Sequence, residues 1–104
     1  MIYRLAANIL VPGKINEYYA ISIKEMNPLY PKLGINQVGS FRSYTGNMNE
    51  VYALWAYEDL AALQKVQAAC RTNKDYQTAS AKMAAFVISQ HATLLEPNPW
   101  SPMK

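Results

Sequence analysis

The sequence predicts an α+β protein whose elements follow the order β-α-β-β-α-β. Residues Glu50–Tyr57 favour a strand and are apolar at both parities, and they run into Leu60–Leu63, a leucine and alanine run that suits a helix. The turn-rich segments Pro12-Gly13 and Gly46–Asn49 end two further strand-like stretches. A strand that is apolar on both faces must be covered on both sides, so the pattern also predicts an oligomer.

The first half of the chain is predicted to form a strand, a helical segment and a second strand. Ile2–Val11 is strand-like and stops at Pro12-Gly13. Pro28 and Pro31 predict a break in the following helix and a short second piece that ends at Gly34. The helical segment carries one apolar stripe with a spacing of three or four residues: Ile15, Tyr19, Ile23, Met26, Tyr30 and Leu33.

The second half is predicted to form a hairpin, a helical segment and a last strand. Gln37–Thr45 and Glu50–Tyr57 are the second and third strands, and their short connection makes them antiparallel. A helix follows from Asp59 as its N-cap, is interrupted at Asn73, and resumes. The last strand is predicted at Val87–Leu95, before a proline-rich tail that can continue neither element.

This order of elements predicts a ferredoxin-like sandwich. With right-handed crossovers, both helical segments lie on one face of a four-stranded antiparallel sheet, and the other face stays bare. Because the strands are apolar on both faces, the bare face is expected to pack against its copy in a second subunit. The residues themselves therefore predict a homodimer that forms through the sheet faces.

Composition limits the class of protein. At 104 residues and 51% hydrophobic content, the chain suits one domain, residues 1–104, with its own core. The net charge of +3 comes from scattered basic residues, which favours neither nucleic acid nor an anionic membrane surface. Cys70 has no intrachain partner and is predicted to be a small core residue. The start of the chain is interpreted as a strand rather than a signal, so a cytoplasmic location is expected.

Several segments, in this order and spacing, resemble the NIPSNAP family of the dimeric α/β-barrel superfamily over nearly the whole chain. The resemblance implies a ferredoxin-like subunit that dimerises through its sheets, in a family without a settled catalytic activity. The matching segments are Met1–Tyr3 with Leu5, Val11–Lys14, Gly39, Gly46 with Asn49, Leu54–Leu60, Ser89-Gln90, Leu94-Leu95 and Pro99–Pro102.

Several polar positions of the family pattern are exchanged in this chain. An acidic residue, an arginine and a tyrosine usual in the first strand are replaced by Arg4, Ala6 and Asn8. A histidine frequent in the third strand is Ala53, and an acid and asparagine pair near the last strand is His91-Ala92. A polar site shared by the family therefore does not carry over intact. If Ala6 and Ala53 face the pocket, a roomier, more apolar cavity is expected.

The residues needed for most catalytic chemistry are not assembled. Hydrolysis by a nucleophile needs a base and an orienting group, and His91 is the single histidine of the chain. The ligands for a metal site are too few, and no cofactor is expected. His91 is a candidate base or haem ligand on a strand, against the more ordinary interpretation of a structural histidine. Catalytic residues stay unknown, and whether the protein is an enzyme stays open.

The aromatic residues are candidates for a ligand pocket. Trp55 lies on the third strand and Tyr44 on the predicted second one, where either a pocket or a dimer interface would use them. Cofactor-free oxygenases of the same superfamily often carry an asparagine on the first strand and a tryptophan on the third, which Asn8 and Trp55 resemble. Arg42 and His91 complete the set of candidate pocket residues.

Three functions remain open from the sequence. The first is a small NIPSNAP-like dimeric protein of unassigned activity that binds a small organic ligand between sheet and helices. The second is a cofactor-free oxygenase or isomerase that acts on a small aromatic molecule. The third is a protein interaction module in which the tail, with Trp100, docks on a partner.

Overall fold

The computed structural model describes all 104 residues and contains one four-stranded antiparallel sheet with helices. The strands are β1 (Ile2–Leu10), β2 (Gln37–Arg42), β3 (Glu50–Tyr57) and β4 (Val87–Leu95). Their order across the sheet is β2-β3-β1-β4, so the two central strands are neighbours through a crossover. The predicted ferredoxin-like sandwich is confirmed, and the predicted bounds of β3 and β4 match those observed.

The first helical segment changes its geometry three times. Helix α1 (Ile15–Ile21) runs into a π-helical turn at Ser22–Met26 and a 3₁₀ turn at Asn27–Leu29, and α2 (Tyr30–Leu33) follows. The prolines at the start of the later pieces prevent a regular helix. Gly34 ends the segment in the left-handed region with φ of 73°, as predicted for a C-terminal glycine.

The predicted apolar stripe is wrong at Ile23, because a π-helical turn interrupts the regular spacing. Met26 is buried as expected, but Ile23 is 66% exposed. A π turn holds more residues than an α turn, so the side chains of Ser22–Met26 no longer follow the spacing of α1. Tyr18, which the stripe did not include, faces the interior of the sandwich and lines its cavity.

The second helical segment consists of α3 (Leu60–Thr72) and α4 (Lys74–Ala84), each with a side-chain cap. Asp59 accepts a hydrogen bond from the Ala62 N–H at 2.8 Å, as predicted for an N-cap. Asn73 ends α3 and caps α4 by accepting from the Tyr76 N–H, also at 2.8 Å. No helix combines the length and the apolar character that crossing a membrane requires.

Strand β2 is shorter than predicted. It ends at Arg42, and Ser43–Asn49 forms a longer connection to β3 than the four residues expected. Ladder pairing between β2 and β3 stops at the pair Arg42 and Val51. Tyr44 therefore lies beyond the sheet in the connection and is 89% exposed.

The strand register assigns residues to the two faces of the sheet. Arg4 pairs with Trp55 on β3 and with Leu94 on β4, and Asn8 pairs with Val51 and Gln90. Directly paired residues share a face, and successive residues alternate. This face lies under the helices, because Arg4, Asn8 and Trp55 line a cavity together with helical side chains. We call it the helix face and the opposite one the open face.

The open face is largely apolar and carries the alternate residues of each strand. Leu5 pairs with Leu54 and Thr93, and Ala7 pairs with Tyr52 and with His91 of β4. The open-face residues of the four strands include Leu5, Ala7, Ile9, Phe41, Tyr52, Leu54, His91 and Thr93.

The open face is partly covered at one end. Residues Pro97–Met103 turn back beside Tyr3 and Leu54, leaving a depression of about 230 Å³ between the tail and the sheet. At the β2 edge the Phe41 ring lies over Gly39, since a Cβ on Gly39 would come within 2.6 Å of that ring. Phe41 is nevertheless 59% exposed.

Candidate functional site

A cavity of about 330 Å³ lies between the helix face of the sheet and the helices. Its walls are mostly apolar, with methionines on both helical segments. The polar and aromatic side chains of the wall are Arg4, Asn8, Trp55 and Gln90 from the sheet and Tyr18, Tyr30, Tyr76 and Ser80 from the helices. Pockets of this size that combine apolar walls with a few polar groups are the usual form of a small-molecule site.

Arg4 provides the single formal charge among the residues that line the cavity. Its guanidinium carbon lies 5.1 Å from the centroid of the Trp55 ring, a cation–π arrangement set by the direct pairing of the two residues across β1 and β3. The ion pairs of the structure are Lys14 with Glu17 and Lys82 with Glu25, and neither involves Arg4. The guanidinium thus keeps its planar set of N–H donors for a further acceptor.

Asn8 is a buried polar residue at the wall of the same cavity. Its side chain is only 7% exposed, and its Oδ1 atom has no hydrogen-bond partner. Burial raises the pKa of Tyr18, and the Asn8 side chain beside the phenol opposes part of that rise. An unsatisfied buried acceptor costs about 1 to 3 kcal/mol, so its retention requires an explanation.

Three tyrosines of the cavity wall are held in the neutral form. Burial raises the pKa of Tyr18 and of Tyr76, and it raises the pKa of Tyr30 to about 12. The Tyr76 phenol adds to the shift of Tyr30, whereas the Trp55 indole N–H acts in the opposite direction. Near neutral pH all three side chains therefore present O–H groups, which donate and accept hydrogen bonds.

Cys70 lies behind the cavity rather than in its wall. The side chain is buried, as the sequence predicted, and burial raises the pKa of its thiol. Tyr76 interacts with that thiol and lowers its pKa in part. A buried thiol kept in its protonated form is a poor nucleophile, so Cys70 acts as a packing residue here.

These groups limit the chemistry of the cavity. Its wall contains no carboxylate and no histidine, and its tyrosines remain protonated near neutral pH. A general base needs a pKa near the working pH, and no side chain of the wall meets that requirement. The arrangement suits recognition of a ligand through hydrogen bonds and aromatic contacts.

The five pocket residues expected from the sequence lie in different places. Asn8 and Trp55 line the cavity together. Arg42 is exposed at the end of β2, and Tyr44 is exposed in the connection that follows. His91 pairs with Ala7 on the open face, where its Nε2 lies 3.4 Å from Thr93 Oγ1.

The alanines of the exchanged family positions do not line the cavity. Ala6 is fully buried and pairs with Ala53 on β3 and Ala92 on β4, between the rows that hold Arg4 and Asn8. On the sheet side, the cavity wall is instead formed by larger residues of the two neighbouring rows, Arg4 with Trp55 and Asn8 with Gln90.

Arg4 and the three wall tyrosines were not among the site residues predicted from the sequence. A signal for Arg4 was present, because Arg4 and Asn8 have the same parity on one strand and must therefore share a face. The tyrosines gave no comparable signal. Tyr30 belonged to the predicted apolar stripe, and Tyr18 lay beside it, so both appeared as ordinary packing residues.

Comparison with known families identifies one match. The sequence model of the NIPSNAP family matches residues 3–102. A search of curated proteins found no significant match.

Solved structures share the fold at low sequence identity. A NIPSNAP family protein from Agrobacterium tumefaciens is 22% identical and superposes with a TM-score of 0.92, with 99% of this chain and 98% of that chain covered. Another from the same organism, described as having unknown function, is 23% identical with a TM-score of 0.90 and coverages of 100% and 94%.

A more distant neighbour is a putative antibiotic biosynthesis monooxygenase from Nitrosomonas europaea. It is 10% identical, with a TM-score of 0.71 and coverages of 93% of this chain and 98% of that chain. At these identities, the structural likeness shows a common fold and leaves the activity undetermined.

Proposed function

The chain belongs to the NIPSNAP family, and from that premise we propose that it binds a small organic molecule in the cavity between sheet and helices. The observation that carries this proposal is the free Oδ1 of Asn8, which is buried at the cavity wall. Its cost of about 1 to 3 kcal/mol is recovered when a bound molecule donates a hydrogen bond to it. The aromatic side chains that surround it provide apolar contact area for the same molecule.

The protonation states of the side chains in the cavity wall favour ligand binding over catalysis. An isomerase, or a cofactor-free oxygenase whose substrate enters protonated, must first remove a proton from that substrate, which requires a base. The wall offers only a guanidinium, amides, one serine hydroxyl and neutral phenols. A binding protein needs no such group.

The oxygenase remains the second candidate because Asn8 and Trp55 share the cavity. In this alternative the substrate is an electron-rich aromatic that enters already deprotonated, and molecular oxygen is the oxidant. A dissolved-oxygen electrode distinguishes the two functions. For a binding protein, oxygen uptake in the presence of an electron-rich phenol stays at the rate of the phenol alone.

A homodimer is part of the proposed function. What supports it is the open face, which carries Leu5, Phe41, Tyr52 and Leu54 without a covering helix. Apolar surface of this extent is normally buried, and a second copy offers the same surface. Two sheets that pack in this way form a dimeric α/β barrel with the helices outside.

The tail suggests where the interaction alternative should be tested. Trp100 is 79% exposed, although neighbouring tail residues lie beside the sheet. Deletion of residues 98–104 should weaken the dimer if Trp100 contacts the second copy. A deletion that changes neither the mass in solution nor any binding would count against the interaction module.

The buried, unpartnered Cys70 suits a reducing compartment such as the cytoplasm.

Fluorescence offers a direct test of ligand binding. The variant Trp100→Phe leaves Trp55 as the single tryptophan, so its emission reports on the cavity alone. A library of small aromatic compounds, neutral, anionic and cationic, should contain members that change this emission in a saturable way. The matched variant Trp55→Phe, which retains Trp100, should show no such change. If no compound of any charge class binds, the proposal is wrong.

A further inference from the structure

The two polar ends of the cavity differ in chemistry. Arg4 and Asn8 lie four residues apart on one strand and one face, so their Cα atoms are separated by roughly 13 Å. Trp55 lies beside Arg4 at one end, and Gln90 lies beside Asn8 at the other. A ligand that uses both ends must be elongated.

The Arg4 end favours a negative charge. The guanidinium is the single formal charge of the wall, no carboxylate of the protein pairs with it, and its carbon lies over the Trp55 ring. Tyr76 also lies within its electrostatic reach and offers a neutral O–H. A carboxylate matches this arrangement, because its two oxygens accept from the fork of guanidinium donors.

The Asn8 end favours a hydrogen-bond donor. The free atom is the carbonyl oxygen Oδ1, which accepts and cannot donate. Tyr18 lies beside the same side chain, and Oδ1 remains without a hydrogen-bond partner. A hydroxyl or amino group on the ligand would satisfy it.

The rest of the wall is aromatic and apolar. Tyr30 interacts electrostatically with both Tyr76 and Tyr18. Met26 and Met83 also line the wall and offer adaptable apolar surface. These side chains suit a flat, rigid ligand body.

We infer that the ligand is an elongated aromatic acid that places its carboxylate at Arg4 and a hydroxyl or amino donor at Asn8 Oδ1. The inference rests on the proposed function and deepens it, since it adds the chemical class of the bound molecule. It requires two independent recognition events, each assigned to one residue. Each event can therefore be removed separately.

The test uses four related probes and the full chain with Trp100→Phe. The probes are 4-hydroxycinnamate, cinnamate without the hydroxyl, 4-methoxycinnamate without the donor, and the methyl ester of 4-hydroxycinnamate without the charge. Titration of Trp55 emission gives a dissociation constant for each. We expect 4-hydroxycinnamate to bind about tenfold more tightly than its ester and about tenfold more tightly than the methoxy compound, as the loss of one charge-assisted or one buried hydrogen bond implies.

Three variants assign the two effects. Arg4→Gln should make the acid and its ester equal while leaving the preference for hydroxyl over methoxy. Asn8→Leu, which keeps the branching and the number of heavy atoms, should abolish the hydroxyl preference while leaving the preference for acid over ester. Arg71→Gln, at an exposed arginine in the last turn of α3, is the matched control and should change neither ratio.

The inference and the proposed function fail differently. Equal affinity of the acid and ester in the parent protein, or an acid preference that survives Arg4→Gln, would overturn the anion at Arg4. A hydroxyl preference that survives Asn8→Leu would overturn the donor at Asn8. Binding of other compounds with none for these four probes would also overturn the inference and leave the proposed function intact. No binding by any compound would overturn both.

Discussion

The guanidinium of Arg4 lies over the indole of Trp55, with 5.1 Å between the guanidinium carbon and the ring centroid. The two residues are direct cross-strand partners on β1 and β3, so the contact follows from strand register. A cation–π contact of this kind contributes about 0.5 to 1 kcal/mol at exposed sites and more where water is excluded. It also holds a positive charge at the wall of an otherwise neutral cavity, where a ligand can use it.

Truncation of Trp55 should destabilise the fold. Trp55→Ala removes the cavity wall and the ring under Arg4, and we expect a loss of about 3 kcal/mol in the free energy of unfolding, because the ring is half-buried rather than fully buried. Urea denaturation followed by circular dichroism measures it. The control Trp100→Ala removes an exposed tryptophan and should cost no more than about 0.5 kcal/mol. Equal losses in the two variants would contradict the packing described for Trp55.

Replacement of Asn8 by leucine should weaken ligand binding and raise the free energy of unfolding. Asn8→Leu keeps the branched shape and the number of heavy atoms and removes the buried acceptor, so the free energy of unfolding should rise by about 1 kcal/mol. Asn8→Ala also removes the acceptor but leaves a void, and it should be less stable than Asn8→Leu. Urea midpoints of the two variants and the parent provide the measurement. A clear destabilisation by Asn8→Leu would mean that Oδ1 is satisfied in the free protein.

The tyrosines of the cavity predict a loss of stability in alkali. The pKa of Tyr30 is about 12 in the fold, against an ordinary value of 10.0, so the unfolded chain loses this proton first. The resulting stabilisation is complete below the unfolded pKa and is lost as the pH rises through the folded pKa. A shift of this size corresponds to roughly 2 to 3 kcal/mol.

Tyr30→Phe removes this titration. Its free energy of unfolding should fall less than that of the parent between about pH 9 and pH 12. Urea denaturation across this range is the measurement, and Tyr44→Phe, at an exposed tyrosine, should follow the parent curve. If Tyr30→Phe loses as much stability as the parent, the phenol is not protected by burial.

A charge on the open face should dissociate the proposed homodimer. Phe41→Glu places a carboxylate on the apolar surface, and burial of an unpaired charge at an interface is costly. We expect the dissociation constant of the dimer to rise by at least about tenfold. Light scattering at micromolar concentration measures the mass, with Tyr44→Glu in the adjacent connection as the control. A monomeric parent protein would contradict the dimer itself.

Local sequence signals were sufficient for most of the fold. The bounds of β3 and β4 follow from strand-favouring runs that stop at residues unsuited to a strand, and Asp59 caps α3 because its carboxylate reaches the Ala62 N–H. Gly34 ends α2 because the residue after the helix adopts a left-handed backbone conformation, which glycine reaches without a steric penalty. Strand β2 was predicted too long, since Tyr44 and Thr45 favour a strand although ladder pairing with β3 stops at Arg42.

The candidate site depended more strongly on contacts between distant parts of the chain. The π-helical turn at Ser22–Met26 turned Ile23 toward solvent, contrary to the regular spacing that predicted it in the stripe. His91 reached the open face because its pairing with Ala7 fixes its orientation. A sequence pattern does not specify such a register until both strands are in place.

By itself, the sequence determined the order of the elements, the family and the apolar character of both sheet faces, because these depend on neighbours along the chain. Only the tertiary structure decided that Arg4, Asn8, Trp55 and the helical tyrosines share one cavity, and that Arg42, Tyr44 and His91 lie outside it. The physical reason is that burial and pKa depend on groups brought together from separate elements. The Oδ1 atom of Asn8 is buried without a hydrogen-bond partner only in the folded structure.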